Sequence, residues 1–322
     1  MSVIAVDIGG SSAKLAQVQR GSVLRQERIP HSSGSHNLDR LSAAVRTWLQ
    51  NPCDEEEQVT ALGIAVPGAV DPTGRSLTTV YEKLRNLVGV DLIAWAEASF
   101  GLPAVVENDG RAAGWGEYVA GSGRGSESLL VFSFGTGVGT SVVIGGRALT
   151  GRHGYGGILG GHQRIELEGR LCTCGKKGCL EAEASAWALP YVISDLRAAH
   201  PGGLSPQVRF EDVLEAAGEG DSLAQAVRSR MLTCWATGIA NACSLIDPDR
   251  VVLTGGLMAG AEDFIDILRA EVGAQSWDPA VEPEVVLAAD VWGSSTAGIA
   301  DLAERLSDQP SPLQDARPPT HI

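Results

Sequence analysis

Three of the chain's six cysteines fall within eight residues, in the segment CTCGKKGC, and a histidine precedes them. Nine residues separate His162 from Cys172, one separates Cys172 from Cys174, and four separate Cys174 from Cys179. One imidazole and three thiolates form a closed tetrahedral set of the kind that structural zinc takes. A disulfide or free thiols are the alternatives. Because four protein ligands leave no position for an activated water, the pattern predicts a metal that stabilises the fold.

The segment VENDGRAAGWGE places a carboxylate, Asp109, just after an apolar strand and at the start of an alanine-rich helix. One interpretation is a plain helix cap by Asn108 or Asp109. The other is a general base that accepts the proton of a substrate hydroxyl during phosphoryl transfer, while Mg²⁺ offsets the phosphate charge.

Three glycine-rich turns each follow an apolar strand directly: DIGGSS, FGTGVGT and LTGGLM. Backbone N–H groups in such turns can approach a phosphate closely, and hydroxyl side chains add donors. Asp7, at the first strand end, is placed to bind Mg²⁺ directly or through water. One such turn is usually only a turn, but three in one chain favour a nucleotide site. Neither the dinucleotide fingerprint nor a Walker loop is present.

Composition limits the class of protein. The 322 residues suffice for two domains, and 44 % of them are apolar. Twenty-five basic against 39 acidic residues give a net charge of −14. This balance repels nucleic acid and anionic membranes, so any anionic ligand must be held by local features.

The start of the chain, MSVIAVDIGGSS, lacks a basic segment, and Asp7 interrupts its apolar run, so it does not read as a signal peptide. No apolar stretch approaches the ~18 residues of a membrane span. We therefore expect a cytoplasmic protein, in which stable disulfides are rare.

The elements that must position these residues alternate between strands and helices, which predicts an open α/β sheet. The first three strands are expected at Val3–Val6, Ala13–Gln19 and Ser22–Ile29, and a long helix at about Ser222–Ile246. Further strands are expected in VTALGIAVPG, LPAVVENDG, ESLLVFSFGTGVGTSVVIGGRAL, VVLTGG and EVVLAA, and further helices in VDLIAWAEASFG, from Glu262 and from Ser294. DIGGSSAK and FGTGVGTS suggest a weak internal duplication.

GSGRGS interrupts this pattern and suggests a domain boundary between Trp115 and Gly125. We predict an N-terminal α/β domain over 1–118 and a C-terminal α/β domain with the metal loop over 119–292. A last helix, 293–306, is expected to return to the first domain. The proline-rich segment 307–322 is expected to be a disordered tail.

Taken in order, these stretches resemble the ROK family (repressors, open reading frames and sugar kinases) of the sugar kinase, Hsp70 and actin superfamily. The resemblance covers nearly the whole chain, from DIGGSS through PGAVD, VENDGRAA, FGTGVGTSVV and GHQRIELEGRLCTCGKKGCLEAEAS to LTGGLM. It implies a two-domain actin-like ATPase (ribonuclease H-like) fold, with ATP and sugar in a cleft between the domains.

The resemblance implies a sugar site. Asp109 would take the proton from the sugar hydroxyl, usually that on C6, and Asn108 and Asn86 would contact the sugar. Glu181 matches a sugar-binding glutamate, and the zinc histidine, His162, also reaches the sugar in this family. The metal loop would thus fix one wall of the sugar pocket.

The resemblance also implies the sites of ATP, Mg²⁺ and zinc. Asp7 would lie near Mg²⁺. Zinc would sit on His162, Cys172, Cys174 and Cys179. The phosphates and adenosine of ATP would contact the three turns through Gly9, Gly10, Ser11 and Ser12; Gly135, Thr136 and Gly137; and Gly255 and Gly256.

The sequence departs from the family pattern near the sugar. Leu159 stands three positions before the zinc histidine, where family members commonly have a glutamate that contacts the first two sugar carbons. An apolar wall there favours a modified sugar, an amino sugar or a weakly selective pocket. The usual threonine-lysine pair after the first double glycine is Ser11-Ser12, with Lys14 displaced, and Arg85 replaces a proline before Asn86.

We therefore predict an ATP-dependent hexose or amino-hexose kinase that works with Mg²⁺ and carries structural zinc. Its partner is a small sugar, with no nucleic acid or membrane, and a homodimer is expected because relatives often dimerise. One alternative is a sugar-sensing regulator, although a first strand at Val3 leaves no room for a helix-turn-helix. The other is a catalytically silent sugar-binding protein, which Leu159 favours.

Overall fold

A computed structural model of the chain describes residues 1–9, 12–30, 37–53, 58–79, 82–278, 283–290 and 293–307. Gly10 and Ser11 of the first glycine turn lie outside these ranges. So does the expected tail from residue 308 onward.

The first sheet is built from strands whose interior-facing residues are nearly all apolar. Its members are β1 (Ser2–Ile8), β2 (Ser12–Gln19), β3 (Ser22–Pro30), β4 (Val59–Val66) and, after the short ribbon of β5 (Ala69–Val70) and β6 (Leu77–Thr79), β7 (Ala104–Asn108). The spatial order is β3-β2-β1-β4-β7. The first three strands are antiparallel, whereas β4 and β7 run parallel to β1.

The second sheet repeats this arrangement. Its strands are β8 (Ser128–Phe134), β9 (Val138–Ile144), β10 (Arg147–Ala148), β11 (Arg250–Thr254) and β12 (Glu284–Leu287). The order is β10-β9-β8-β11-β12, again with an antiparallel trio and two further strands parallel to the first of them. The two sheets thus share one topology, as an internal duplication would produce.

The helices in the described ranges fall between and after these strands. They are α1 (Asn37–Gln50), α2 (Leu92–Phe100), α3 (Asp109–Val119), α4 (Leu180–Ala184), α5 (Leu189–Leu196), α6 (Phe210–Gly218), α7 (Ser222–Ile246), α8 (Ile265–Gln275) and α9 (Ser294–Ser307). Gly101 ends α2 in the left-handed conformation, as expected of a glycine stop. None of these described helices is both long enough and apolar enough to span a bilayer.

The chain divides into two compact units. Unit 1 contains Met1–Ala112 and the chain from Thr296, and unit 2 contains Ala113–Ser295. The division falls inside α3, upstream of the GSGRGS segment.

Unit 1 buries apolar side chains on both faces of its sheet. On one face, Leu41, Val45 and Trp48 of α1 pack on strand residues such as Ile64. On the other face, α9 packs against β1, β2 and β4. The backbone of α9 comes so close that a Cβ on Gly63 of β4 would lie 2.4 Å from the carbonyl oxygen of Ile299. Glycine is therefore required at this strand position.

Unit 2 is organised around Trp235 in the middle of α7, which is completely buried. Its ring lies 5.0 to 5.8 Å from the rings of Phe134, Phe210 and Phe264. Its indole Nε1 donates a hydrogen bond of 2.7 Å to the carbonyl oxygen of Ala184, the last residue of α4. This contact holds the short helix α4, which follows the cysteine segment, against the core.

Candidate functional site

In unit 1, polar residues gather where the parallel strands end. Asp7 of β1 and Glu107 of β7 flank the same residue of β4, Ala65, and Asn108 lies opposite Val66. Because the carboxyl ends of parallel strands meet at one edge of the sheet, the first glycine turn and the VENDG segment come together there.

Asn108 is the cap of α3, which confirms the simpler interpretation for this residue. Its Oδ1 accepts a hydrogen bond from the N–H of Arg111 at 2.9 Å, as helix caps do. Its Nδ2 donates both to the carbonyl of Gly68, at 2.7 Å, and to Oδ1 of Asp109, at 3.1 Å. That carboxylate oxygen also accepts from the N–H of Gly110 at 2.8 Å. Asp109 is therefore held by donors and is not itself the cap.

The environment of Asp109 disfavours its charge. Desolvation, reinforced by the nearby carboxylate of Asp7, raises the pKa of Asp109 to about 7, although the donors of Gly110 and Asn108 oppose the shift. Desolvation also raises the pKa of Asp7, against the attraction of Lys14 and Arg28. Near neutral pH, Asp109 can thus exchange a proton.

The first glycine turn is described at its two ends. The N–H of Gly9 donates to the carbonyl of Ser12 at 3.0 Å, which closes the β1–β2 connection. Lys14 Nζ lies 3.9 Å from Oδ2 of Asp7, its cross-strand partner. A displaced lysine therefore still faces the carboxylate that was expected to lie near Mg²⁺.

Two further glycine turns lie at one edge of the sheet of unit 2. The N–H of Gly135 donates to the carbonyl of Gly137 at 2.9 Å, with Thr136 at the tip between β8 and β9. Gly255 ends the neighbouring parallel strand β11 with φ of 95°, and a Cβ there would lie 2.4 Å from the carbonyl oxygen of Phe134. Gly256 begins a 3₁₀ turn, Gly256–Met258. The close approach brings the second and third turns together.

Glu181, in the first turn of α4, connects the second glycine turn to the cysteine segment. Its Oε2 accepts a hydrogen bond from the N–H of Val138 at 3.1 Å, and its Oε1 accepts from the hydroxyl of Thr173 at 3.2 Å. A Cβ on Gly137 would lie 2.4 Å from Oε2. A side chain at this position would therefore force the Glu181 carboxylate to move away from the N–H of Val138.

The predicted metal ligands converge. The ligand atoms of His162, Cys172, Cys174 and Cys179 all lie within 4.8 Å of one another. Sγ of Cys174 is 3.6 Å from Sγ of Cys179, and Sγ of Cys172 is 3.6 Å from Nδ1 of His162. A disulfide requires about 2.05 Å, whereas tetrahedral bonds of about 2.3 Å to one ion place two sulfurs about 3.8 Å apart. The spacing fits a tetrahedral ion.

The three thiols differ in their ionisation: against desolvation, hydrogen bonds from Lys176 and from the other two cysteines lower the pKa of Cys174, whereas the pKa values of those two are raised. Desolvation and the neighbouring cysteines raise the pKa of Cys179 to about 12, and desolvation also raises that of Cys172. Three thiolates at this spacing repel one another, so a bound cation would stabilise them. The loop can turn this tightly because Gly175 and Gly178 have φ of 81° and 71°.

The remaining candidates lie on the surface. Leu159 is 47 % exposed and precedes the 3₁₀ turn Gly160–His162. Asn86 is exposed in the 3₁₀ helix Glu82–Leu87, so its sugar contact stays a prediction. Sequence reasoning missed Glu107 and Arg111, which form an ion pair beside Asp109. Their i,i+4 spacing was the available signal.

Two sheets of matching topology, each with a glycine turn after its first strand, define an α/β protein of the actin-like ATPase fold, as predicted. The chain belongs to the ROK family, whose sequence profile matches residues 3–305, and this confirms the predicted family.

Similar proteins extend over nearly the whole chain. A glucokinase of Streptomyces coelicolor is 31 % identical in an alignment 337 positions long, gaps included, which covers 96 % of this chain and 98 % of the relative. An N-acetylmannosamine kinase of Salmonella paratyphi A is 31 % identical over 270 residues, or 84 % and 88 % of the two chains. The crystal structure of a ROK family glucokinase from Streptomyces griseus, in complex with glucose and AMPPNP, has a TM-score of 0.78 at 28 % identity and covers 95 % of this chain and 100 % of that one.

Proposed function

We propose that the protein transfers the terminal phosphoryl group of ATP to a hydroxyl of a hexose or amino-hexose, with Asp109 as the general base. The observation that carries this proposal is the pKa of Asp109, raised to about 7 by desolvation and Asp7, at the sheet edge beside a glycine turn. Its sequence relatives are kinases of glucose and of N-acetylmannosamine, which supports the same chemistry.

In this mechanism Asp109 accepts the proton of the attacking sugar hydroxyl, which the family resemblance assigns to C6. A base whose pKa lies near the working pH is both sufficiently ionised and sufficiently basic. The amide of Asn108 fixes the carboxylate and can contact the sugar. Asp7 would hold Mg²⁺ directly or through water. When bound, the ion would neutralise phosphate charge. The N–H groups of the glycine turns would orient the phosphates.

We assign structural zinc to His162, Cys172, Cys174 and Cys179. The donor set and its spacing support this assignment, and a closed site leaves the ion no catalytic position. Cys179 directly precedes α4, so the ion would fix the start of the helix that carries Glu181. The proposed sugar contacts of His162 and Glu181 would then be preorganised.

The sugar is expected to differ from plain glucose near its first two carbons. Leu159 offers no hydrogen bond there and presents a half-exposed apolar surface. An N-acylated amino sugar could place its acyl group against this side chain. Homodimer formation and a cytoplasmic location stay predictions.

The direct test is formation of ADP from Mg·ATP with a panel of hexoses, hexosamines and N-acylated hexosamines. Asp109→Asn should lower kcat by about 10²- to 10⁴-fold, the range of general-base catalysis, while sugar binding measured by calorimetry largely survives. Substantial residual kcat would remove Asp109 from the role of base.

Leu159→Glu tests the proposed substrate class with the same panel. The added carboxylate should shift preference toward sugars with free hydroxyls at the first two carbons. An unchanged ranking of kcat/KM would show that Leu159 does not face the sugar. Sugar binding without turnover for every member of the wild-type panel would instead favour the catalytically silent binder or regulator.

A further inference from the structure

A buried ion pair joins two residues that flank the proposed base in sequence, Glu107 and Arg111. Nη1 of Arg111 is 2.5 Å from Oε1 of Glu107, and the two side chains are only 3 % and 19 % exposed. A buried pair of this kind gains little over apolar packing, because both charges lose their hydration. The pair is therefore more informative about the local geometry that it fixes than about stability.

The pair forms a closed ring of hydrogen bonds around Asn108. The same Oε1 of Glu107 accepts from the backbone N–H of Asn108 at 2.7 Å. In return, Oδ1 of Asn108 accepts from the backbone N–H of Arg111 at 2.9 Å. The Glu107–Arg111 ion pair and the Asn108 cap therefore bridge the same turn of the chain.

This ring determines where the amide of Asn108 points. With Oδ1 occupied by Arg111, Nδ2 is directed to the carbonyl of Gly68 and to Oδ1 of Asp109. The donor to the Asp109 carboxylate therefore depends on a turn that Glu107 and Arg111 hold together. Charge-assisted bonds of this type are short and directional.

We propose that Arg111 and Glu107 are positioning residues that hold Asn108 and, through it, orient the carboxylate of Asp109. The inference rests on the proposed function, since it gives the two residues a role in orienting the proposed general base. Neither side chain is placed in contact with the sugar or the nucleotide.

Other charges also bear on Asp109. Asp7 of β1 repels its ionised form, and Lys14 and Arg28 in turn attract Asp7. Removing Arg111 leaves the negative charge of Glu107 uncompensated and loosens the Asn108 donor. Both effects disfavour the charged form of Asp109, so they act in the same direction.

The test compares Arg111→Met, Arg111→Lys and wild type, with Arg305→Met as the matched control. Arg305 also forms an i,i+4 ion pair, with Asp301, but on α9 and with an exposed side chain. The titration of the Asp109 carboxyl carbon is followed by NMR of protein labelled at aspartate, with Asp109→Asn identifying the signal. This measurement requires no turnover, so it remains decisive even if the kinase assay fails.

We expect Arg111→Met to raise the pKa of Asp109 by about half a unit to one unit, because the Asn108 donor is loosened and the charge of Glu107 is left uncompensated. In the kinase assay kcat should fall about 10- to 100-fold, the acid limb of its pH profile should move up with the pKa, and KM for ATP should stay unchanged. Arg111→Lys, which keeps the charge, should recover part of both effects, and Arg305→Met should show neither.

A purely structural ion pair gives a different result. Arg111→Met would then lower the melting temperature but leave the pKa of Asp109 and kcat per folded molecule at the wild-type values, which would overturn the proposal. If Arg111→Met does not fold, the same comparison is made with Arg111→Gln, which also removes the charge, and an unchanged pKa and an unchanged pH profile there would overturn the proposal equally.

Discussion

The raised pKa of Asp109 makes the free energy of unfolding depend on pH, and Asp109→Asn isolates that dependence. Asparagine keeps an oxygen that can accept from the N–H of Gly110 and from the amide of Asn108. It carries no charge at any pH. The variant therefore removes the cost of ionising a desolvated carboxyl and little else.

The direction and size of this pH dependence follow from the pKa shift of Asp109. In the folded protein the pKa of Asp109 is raised from 3.8 to about 7. Between these values the folded state binds more protons than the unfolded state, so wild-type stability falls as pH rises. The limiting slope is about 1.4 kcal/mol per pH unit, so wild type should lose on the order of 3 kcal/mol relative to Asp109→Asn between pH 5 and pH 8.

The assay is urea unfolding of both proteins at several pH values from 5 to 9. The difference in unfolding free energy should grow in favour of Asp109→Asn up to about pH 7 and then level off, although the variant has lost its activity. Asp71→Asn is the control, and its stability difference from wild type should stay constant over this pH range. Four donors from Thr73 and Ser76 hold the pKa of Asp71 below its usual range, so its stabilisation is present at neutral pH and is lost only in acid.

A difference between Asp109→Asn and wild type that stays constant within about 0.5 kcal/mol from pH 5 to pH 8 would refute the reasoning, because the linkage requires a slope wherever the two pKa values differ. It would mean that water reaches the carboxylate freely. Asp109 would then not be a general base with a pKa near 7.

Three further substitutions test other parts of the structure. Cys174→Ser should reduce bound zinc, measured by atomic emission, from about one ion per chain to a small fraction and lower the melting temperature, since serine is a poor zinc ligand; full retention of zinc would exclude Cys174 as a ligand. Gly137→Ala would place a Cβ 2.4 Å from Oε2 of Glu181, which must move, so KM for the sugar and KM for ATP should both rise severalfold with zinc content unchanged; wild-type values of both would argue against a role for this turn and for Glu181 in binding. Gly63→Ala should cost about 1 to 3 kcal/mol in urea unfolding through its clash with the backbone of Ile299, and a neutral effect would mean that α9 can shift at no cost.

Much of the framework could be predicted from local sequence. Apolar runs bounded by glycine fix the first three strands and the strands on either side of FGTG, and the stop at Gly101 fixes the end of α2. The metal ligands could be predicted because their chemistry depends on residue type and spacing within a short segment. Local signals therefore account for the elements and for one site.

The helices between residues 180 and 218 were not predicted. α6 shows the usual spacing in Phe210, Val213, Leu214 and Ala217, so its signal was available. α4 is too short to be stable by itself and depends on the bond from Trp235 to Ala184, which joins residues 51 positions apart. α8 begins at Ile265, three residues later than expected, because Ala261–Asp263 forms a 3₁₀ turn.

The electrostatics of the candidate base could not be predicted either. The pKa of Asp109 depends on its burial, on Asp7, and on the carbonyl of Gly68 that anchors Asn108. None of these neighbours is close in sequence. Motif reading could name the residue, but only the folded sheet gives it a proton affinity suited to catalysis.

The first strands of the two sheets, β1 and β8, differ at their next-to-last residue, near their glycine turns. β1 and β8 are each seven residues long and each leads into a glycine turn, and the sixth residue is Asp7 in the first but Ser133 in the second. If both halves descend from one ancestral half-protein, an acidic strand end was either gained in one copy or lost from the other. An acidic side chain is thus present at one strand end and absent from its counterpart, and Ser133→Asp would give the two strands the same residue type at this position.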